Sequence, residues 1–206
     1  MVRVVNVNLS ENNNLNFVLR EDGFHCLSCK SKEEKNLFLQ IVTKISPTKG
    51  DILIGKESIV RCREKVYRAK LKEFGVVYND YKFISYKNVY ENLNYYLKIR
   101  GYSSKNAEKA IDETLEFFGI QHRKHSEIEE LSHEEKVILG VARAMTTEPK
   151  YLILDDIHLA TKKEIWKKIF EFLKKLSKSG TGILYLTCDG EFAASKQMKN
   201  IIEGAL

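Results

Sequence analysis

Residues 142–156 read ARAMTTEPKYLILDD. A predicted helix end and a turn at Pro149 lead into a short apolar run, Tyr151 to Leu154, which is followed by the adjacent carboxylates of Asp155 and Asp156. Short apolar runs bounded by turn residues are typical of strands buried in a parallel sheet. The stretch therefore predicts a buried strand that ends in two acidic side chains.

The composition indicates a single domain over residues 1–206, with a substantial core because 43% of the residues are hydrophobic. No apolar run is long enough to cross a bilayer and no signal-peptide pattern is present, so we expect a soluble, cytoplasmic protein. The net charge is +6, and the lysines are spread along helices such as residues 162–178, as on solvated faces. Nucleic-acid binding is the least favoured class, because no groove-reading helix or aromatic RNA-binding signature is present.

Strand and helix patterns alternate along the chain. The sequence predicts strands at residues 2–7, 15–19, 24–27, 51–54, 151–154 and 181–186, with turns at 12–14 and 47–50. It predicts helices from about residue 33 to 45, between 88 and 119, over 133–145 and after the acidic pair, and a short helix and strand at the end. This order, with a helical insert at about 80–135, predicts an α/β domain with a mainly parallel sheet.

Leu131-Ser132-His133-Glu134-Glu135 begins eleven residues before Ala142. The order and spacing of these motifs resemble ABC-type ATPases, in which LSGGE, ARA, a proline and LLLDE follow one another. Two more segments are similar to that family, PTKGDI at 47–52 and VYENL at 89–93, and residues 74–83 are most similar to FtsE and its relatives in lipoprotein release. The resemblance implies a P-loop-NTPase-like ABC ATPase fold, with N-terminal antiparallel strands and a helical subdomain.

The phosphate-binding loop of the resembled family is altered here. Its pattern is G-x-x-x-x-G-K-[ST], because glycines let backbone N–H groups converge on phosphate oxygens while the hydroxyl holds Mg²⁺. Family spacing places SCKSKEEKN, residues 28–36, in this loop. The glycine positions are then Ser28, Ser31 and Glu33, and the lysine position is Glu34. A shift of one residue would bring Lys35 into the lysine position, but Glu34 would then replace the preceding glycine.

The resemblance implies further losses around the nucleotide. The signature serine is kept as Ser132, but its glycines become His133 and Glu134; Asn79 replaces the Q-loop glutamine, and Cys188 replaces the switch histidine. Asp155 would organise Mg²⁺ if the metal is bound, and Asp156 stands where a glutamate would polarise the attacking water. The alternative for both aspartates is a strand-end carboxylate pair that caps the sheet edge.

The cysteines are Cys26, Cys29, Cys62 and Cys188. One CxxC without a second one does not complete a zinc site, so reduced thiols are the favoured interpretation. The resemblance brings Cys29 and Cys188 to the same site, which leaves a redox or soft-metal role for Cys26, Cys29 and Cys188 open.

An aromatic segment follows the Q-loop position, where the resembled family receives the coupling helix of its membrane subunit. We predict partner-binding roles for Tyr81, Phe83, Ile84 and Tyr86, because helical spacing does not place them in a core. Tyr90 and Leu93, in contrast, are expected to pack inside the helical subdomain.

The sequence thus predicts a degenerate ABC-transporter ATP-binding subunit, a pseudo-ATPase without a cofactor. It would dock on a membrane-embedded, permease-like (FtsX-like) subunit as scaffold or regulator, peripheral at the inner face of the cell membrane. We expect it to dimerise, with itself or with another ABC ATPase-like chain. The alternative is a diverged but working ATPase that binds Mg-ATP through Lys30, Lys32 or Lys35 and couples hydrolysis to transport or cell division.

Overall fold

Two sheets frame the molecule in the computed structural model, which describes residues 1–11, 13–43, 48–195 and 201–203. The antiparallel sheet has the strand order β2-β1-β4-β5, and the parallel sheet has the order β6-β7-β8-β3-β9. The strands are β1 Val2–Ser10, β2 Asn13–Leu19, β3 Phe24–Ser28, β4 Asp51–Ile54, β5 Glu57–Ser58, β6 Phe74–Val77, β7 Tyr151–Asp155, β8 Gly182–Thr187 and β9 Ile201–Glu203.

The centre of the parallel sheet is buried on both faces. Every residue of β7 and β8 is buried, as expected for apolar strands covered on both sides. The register pairs Asp155 with Leu186, and Ser28 with Thr187. The carboxyl ends of β3, β7 and β8 therefore lie together at one edge of the sheet.

Helices pack around this sheet, and several of them begin at side-chain caps. They are α1 Lys32–Val42, α2 Glu64–Leu71, α3 Val89–Ile99, α4 Ser104–Phe117, α5 His133–Met145, α6 Lys163–Lys178 and α7 Gly190–Ala193. Asn88 and Glu91 form a reciprocal capping box at α3, and Ser103 caps α4, so backbone N–H groups at these helix starts are satisfied.

A separate apolar cluster holds the helical region together. Val89, Leu93 and Leu97 of α3 pack with Ile111 of α4 and Leu139 of α5, and all are fully buried. Leu93 packs as predicted, and Tyr90 is half-buried against the cluster.

The predicted architecture, a mainly parallel α/β sheet with antiparallel N-terminal strands, is confirmed. The structure adds β5, β6 and α2, which the sequence analysis did not assign. Predictions for Asn12, Ile45 and Pro47 lie outside the described residues. In the part of the chain that is described, no helix has both the length and the apolar character needed to span a membrane.

Candidate nucleotide-site edge and adjoining groove

The acidic pair lies where β7 leaves the sheet. Asp155 ends the strand, and Asp156 adopts a left-handed backbone conformation with φ 47°, which aspartate tolerates better than most residues. The backbone N–H of Asp156 donates to the carbonyl oxygen of Leu186 at 3.0 Å. Both side chains are almost fully buried, and buried carboxylates need a compensating partner.

Lys35 of α1 is that partner. Its ammonium Nζ lies 2.6 Å from Asp155 Oδ1 and also contacts Asp156 Oδ2, and only 3% of its side chain is exposed. Burial opposes the charge, but the two carboxylates outweigh burial and raise the pKa of Lys35. The family spacing puts Lys35 directly after the lysine position, where the phosphate-loop pattern has the hydroxyl that holds Mg²⁺. A side-chain cation therefore contacts the carboxylates that a metal would need.

Glu34 makes the complementary contacts in the altered loop. Its Oε2 accepts the backbone N–H of Lys30 at 3.2 Å, and its Oε1 accepts the Ser10 hydroxyl at 3.0 Å. In a phosphate-binding loop the anion at such an amide is the ligand. Here the anion is a carboxylate of the chain itself.

The other altered positions of the loop are structural or exposed. Ser28 ends β3, and Ser31 caps α1 by accepting the Glu34 N–H at 3.2 Å. Glu33 is exposed in the first turn of α1. The structure thus places the predicted loop residues around Glu34 and Lys35, whose own charges fill the site.

Asn79, the predicted Q-loop residue, lies near the acidic pair. Its backbone N–H approaches Asp155 Oδ2 at 3.4 Å. Both residues line a cavity of about 660 Å³ that extends along α1 past Asn36 and Thr43. Asp155, whose side chain is only 3% exposed, thus contributes to the wall of this cavity.

The signature segment forms the start of α5. Ser132 accepts the Glu135 N–H, and Glu135 accepts the Ser132 N–H at 2.8 Å, a reciprocal capping box. At the former glycine positions, His133 packs edge-on against the Tyr81 ring and Glu134 pairs with Lys162 at 3.2 Å. Within this chain, these side chains make helix-cap and surface contacts.

A histidine that the sequence analysis did not single out lies next to the acidic pair. His158 Nδ1 is 4.0 Å from Asp156 Oδ1 and 2.7 Å from the Tyr185 hydroxyl, and its ring stacks on Phe192. Burial lowers the pKa of His158, which favours the neutral ring. Its position two residues after the acidic pair is the signal that could have found it.

The cysteines are free thiols in the structure. Cys29 and Cys188 follow the paired residues Ser28 and Thr187, so they lie at neighbouring strand ends as expected. Burial raises the pKa of Cys26 and of Cys29 to about 12, and it raises the pKa of Cys188. Because the thiolate is the metal-binding and nucleophilic form, this environment disfavours both roles.

The four predicted partner-binding residues differ in exposure. The expectation that Tyr81 stands outside a core is wrong: it is 5% exposed and packs with Val77 and Val141. The helical spacing rule failed because Tyr81 lies in a turn with φ 56°, which directs its ring inward. Phe83 and Ile84 are half-buried, and Tyr86 is 81% exposed.

A groove of about 280 Å³ lies beside this turn, and we call it the α3 groove. Its apolar lining includes Leu71, Val76, Ile84, Tyr95, Tyr96 and Ile99, and its basic lining includes Lys82, Arg100 and Arg143. The buried guanidinium of Arg143 donates to the carbonyl oxygens of Tyr81 and Lys82 and lies 4.8 Å from the centre of the Phe83 ring. Arg143 therefore ties the turn to α5.

Comparison with known proteins identifies this arrangement. The ABC transporter family model matches residues 35–158, more than half of the chain. The cell division ATP-binding protein FtsE of Streptococcus pneumoniae is 29% identical over 154 residues, covering 74% of this chain and 67% of FtsE. The methionine import ATP-binding protein MetN 2 of Acinetobacter baylyi is 28% identical over 155 residues. The match covers 74% of this chain but only 46% of MetN 2, so the chain corresponds to less than half of that relative.

Solved structures share the fold. The dimeric ATP-binding cassette MJ0796 bound to ADP and Pi superposes with a TM-score of 0.82 at 20% identity, covering 98% of this chain and 94% of that one. CbiO1 from Clostridium perfringens, part of the ABC transporter complex cbiONQ, gives 0.79 at 18% identity, with 98% and 83% covered.

The expectation of no cofactor is wrong. The matched family consists of ABC ATPases, which bind Mg-ATP, the two relatives are named ATP-binding proteins, and MJ0796 holds ADP and Pi. The altered loop residues alone do not show that this chain has lost Mg-ATP binding. With the predicted ABC ATPase fold confirmed, the chain belongs to the ABC transporter family as an ATP-binding domain.

Proposed function

We propose that this chain is the ATP-binding subunit of an ABC-type membrane complex and that it hydrolyses ATP too slowly to drive transport. In this role it docks on a permease-like, FtsX-like subunit as a scaffold or regulator. The observation that carries the proposal is the buried contact between Lys35 and Asp156. It engages the carboxylate that stands at the water-polarising position of the family pattern.

The residues of the site fit Mg-ATP only if two contacts change. Asp155 and Asp156 supply oxygen donors that suit Mg²⁺, and the Lys30 amide suits a phosphate oxygen. Bound metal would neutralise charge on the phosphates. Lys35 and Glu34 engage these groups in the structure, so both side chains must move when the ligand binds.

Slow hydrolysis follows from the same residues. Phosphoryl transfer depends on positioned positive charge around the γ-phosphate. Here Glu34 occupies the lysine position, Cys188 occupies the switch position, and His133 and Glu134 replace signature glycines. Both the loop and the signature of this chain are altered. In a dimer with an unaltered family member, one site would contain the altered loop and the other the altered signature, so neither site would be complete.

Measuring ATP binding together with phosphate release tests the proposal of slow hydrolysis. We expect ATP to bind and phosphate release to stay far below the ~1 s⁻¹ at the lower end of ordinary enzyme turnover. Turnover near that rate that an Asp155→Ala change abolishes would favour the alternative, a working transport or cell-division ATPase. The naming of FtsE and MetN 2 as ATP-binding proteins keeps that alternative open.

The docking part rests on the α3 groove. Tyr95 and Ile99 on its rim are 52% and 63% exposed, and exposed aromatic and aliphatic side chains supply the contact area that interfaces use. Basic lining from Arg100 and Lys82 suits a partner segment that carries carboxylates beside apolar residues. This placement would hold the chain at the inner face of the membrane through its partner.

Replacing Tyr95 and Ile99 by serine tests the docking part directly. We expect the double variant to remain folded and to lose co-purification with a co-expressed permease-like subunit. Phe117→Ser is the matched control, because Phe117 is 69% exposed on α4, outside the α3 groove. Equal recovery of the partner by the double variant and the control would refute docking at this groove. Chemical crosslinking of the purified complex would decide between a homodimer and a heterodimer with a second ABC ATPase-like chain.

A further inference from the structure

Two consecutive residues carry opposite charges into the altered loop. The Glu34 carboxylate accepts the Lys30 amide N–H, while the Lys35 ammonium contacts Asp155 and Asp156. Glu34 is 8% exposed and Lys35 is 2% exposed, although lysine and glutamate are seldom buried unless paired. Both are held by specific contacts from other parts of the chain.

The contacts of Lys35 are those of a bound cation. An ammonium is a compact positive charge with N–H donors only, and buried carboxylates bind either such a group or a metal ion. Asp155 Oδ1 is contacted by the Lys35 ammonium at 2.6 Å, whereas Asp156 Oδ1 has no hydrogen-bond partner among the described residues. The acidic pair therefore retains acceptor capacity beyond what one lysine uses.

We propose that Lys35 is a tethered competitor of the divalent cation at this acidic pair, with Glu34 as the matching competitor of an anion at the loop amide. Metal enters only when the ammonium leaves the carboxylates. The inference concerns the same site as the proposed function and rests on it for the identity of the ligand. The competition by Lys35 does not require ATP hydrolysis. A metal titration can therefore refute the competition while ATP binding and slow phosphate release still support the proposed function.

The charge balance makes the competition testable. Lys35 leaves the acidic pair with one net negative charge, whereas serine, the residue type of the family pattern at this position, would leave two and add a hydroxyl oxygen. Hard divalent cations favour oxygen ligands. Removing the ammonium should therefore open a metal site that the native side chain obstructs.

The experiment is a calorimetric titration of the full chain with Mn²⁺ alone, at physiological salt and without nucleotide. We expect Lys35→Ser to bind Mn²⁺ about tenfold more tightly than the native chain, or better. Lys105→Ser is the matched control, because it removes an exposed lysine from the first turn of α4. It should leave the native Mn²⁺ affinity unchanged. Equal affinities of Lys35→Ser and the native chain would overturn the proposal.

A second variant separates competition from net charge and guards against misfolding. Lys35→Ser combined with Asp156→Asn keeps the net charge of the acidic pair and reduces the buried carboxylates from two to one. If Lys35 competes for the metal, this double variant still binds Mn²⁺ more tightly than the native chain. Binding no tighter than native would show that Lys35 only balances charge and would refute the competition.

Discussion

Two regions differ in where their polar and apolar groups find partners. One is the nucleotide-site edge, formed by Asp155, Asp156 and the altered loop at residues 28–36, and the other is the α3 groove. At the edge, Lys35 contacts the acidic pair and Glu34 accepts the Lys30 amide N–H, so both partners come from within the chain. In the groove, Tyr95 and Ile99 remain more than half exposed. A buried charge must find its partner inside the fold, whereas exposed apolar surface can await a second molecule. The comparison separates a site whose charges are paired within the chain from a surface whose apolar area stays exposed.

The largest expected effect tests whether the edge is held by its own charges. Replacing Lys35 by methionine leaves two uncompensated buried carboxylates and should lower the free energy of unfolding by about 4 kcal/mol. Urea denaturation measures the loss. Lys105→Met, at an exposed helix-start lysine, should change stability by less than about 0.5 kcal/mol. Similar losses in both variants would break the comparison, because the edge would then not depend on Lys35.

The second effect contrasts a buried and an exposed tyrosine of the segment beside the α3 groove. Tyr81→Ala should cost about 3 kcal/mol, because a buried aromatic ring leaves a cavity. Tyr86→Ala, five residues later and 81% exposed, should stay within about 0.5 kcal/mol. Thermal unfolding of the two variants checks the contrast. A destabilised Tyr86 variant beside a stable Tyr81 variant would contradict the burial of Tyr81 and the exposure of Tyr86.

The third effect concerns the tie between the turn and α5. Arg143→Met removes the donors to the carbonyl oxygens of Tyr81 and Lys82, which should cost about 2 kcal/mol. Hydrogen exchange should accelerate in residues 78–86 and remain unchanged in β1. Arg68→Met is the control, since Arg68 forms an exposed ion pair with Glu64. Uniform exchange changes throughout the chain would show that Arg143 supports the whole fold rather than this turn.

The smallest effect is a pH dependence at the start of α5. A hydrogen bond from Arg123 and one from the Ser132 backbone lower the pKa of Glu135 from 4.5 to about 2. A lowered folded-state pKa gives stability that is present above the unfolded value and is lost as the pH falls through the folded one. We expect about 1 kcal/mol to be lost between about pH 4.5 and about pH 2.

Acid denaturation of an Arg123→Ala variant measures this contribution. Its stability should fall less steeply over that pH range than that of the native chain, because the Glu135 pKa lies closer to 4.5 without the guanidinium. Glu129→Gln, at an exposed glutamate of the preceding 3₁₀ turn, should keep the native slope. If the Arg123 variant also keeps the native slope, the capping box alone accounts for the lowered pKa of Glu135.

The fold was largely predictable because its signals are local. Apolar runs such as Tyr151 to Leu154 mark buried strands, and cap residues such as Asn88 and Ser132 mark helix starts. β6 lacked such a signal of its own: it is only four residues long and contains Gly75, whose missing side chain admits the Ala144 carbonyl oxygen.

The site was predictable in position but not in its contacts. Family spacing placed Glu34 and Lys35 in the loop, but the sequence could not show that Lys35 reaches a carboxylate pair 120 residues away in the chain. The inward ring of Tyr81 depends on a positive φ, and helical periodicity carries no information about such a turn. His158 was missed because its meaning comes from neighbours on β8 and α7.

The strand order also has a consequence for synthesis on the ribosome. β3 carries the altered loop, and its neighbours in the sheet, among the strands described, are β8 and β9. Residues 24–28 must therefore wait for residues 182–187 to emerge before they gain a pairing partner. During that interval the apolar side chains of Cys26 and Leu27 are exposed, as in other slowly closing, non-local sheets. The nascent chain should thus depend on chaperones at the segment that later closes the nucleotide-site edge.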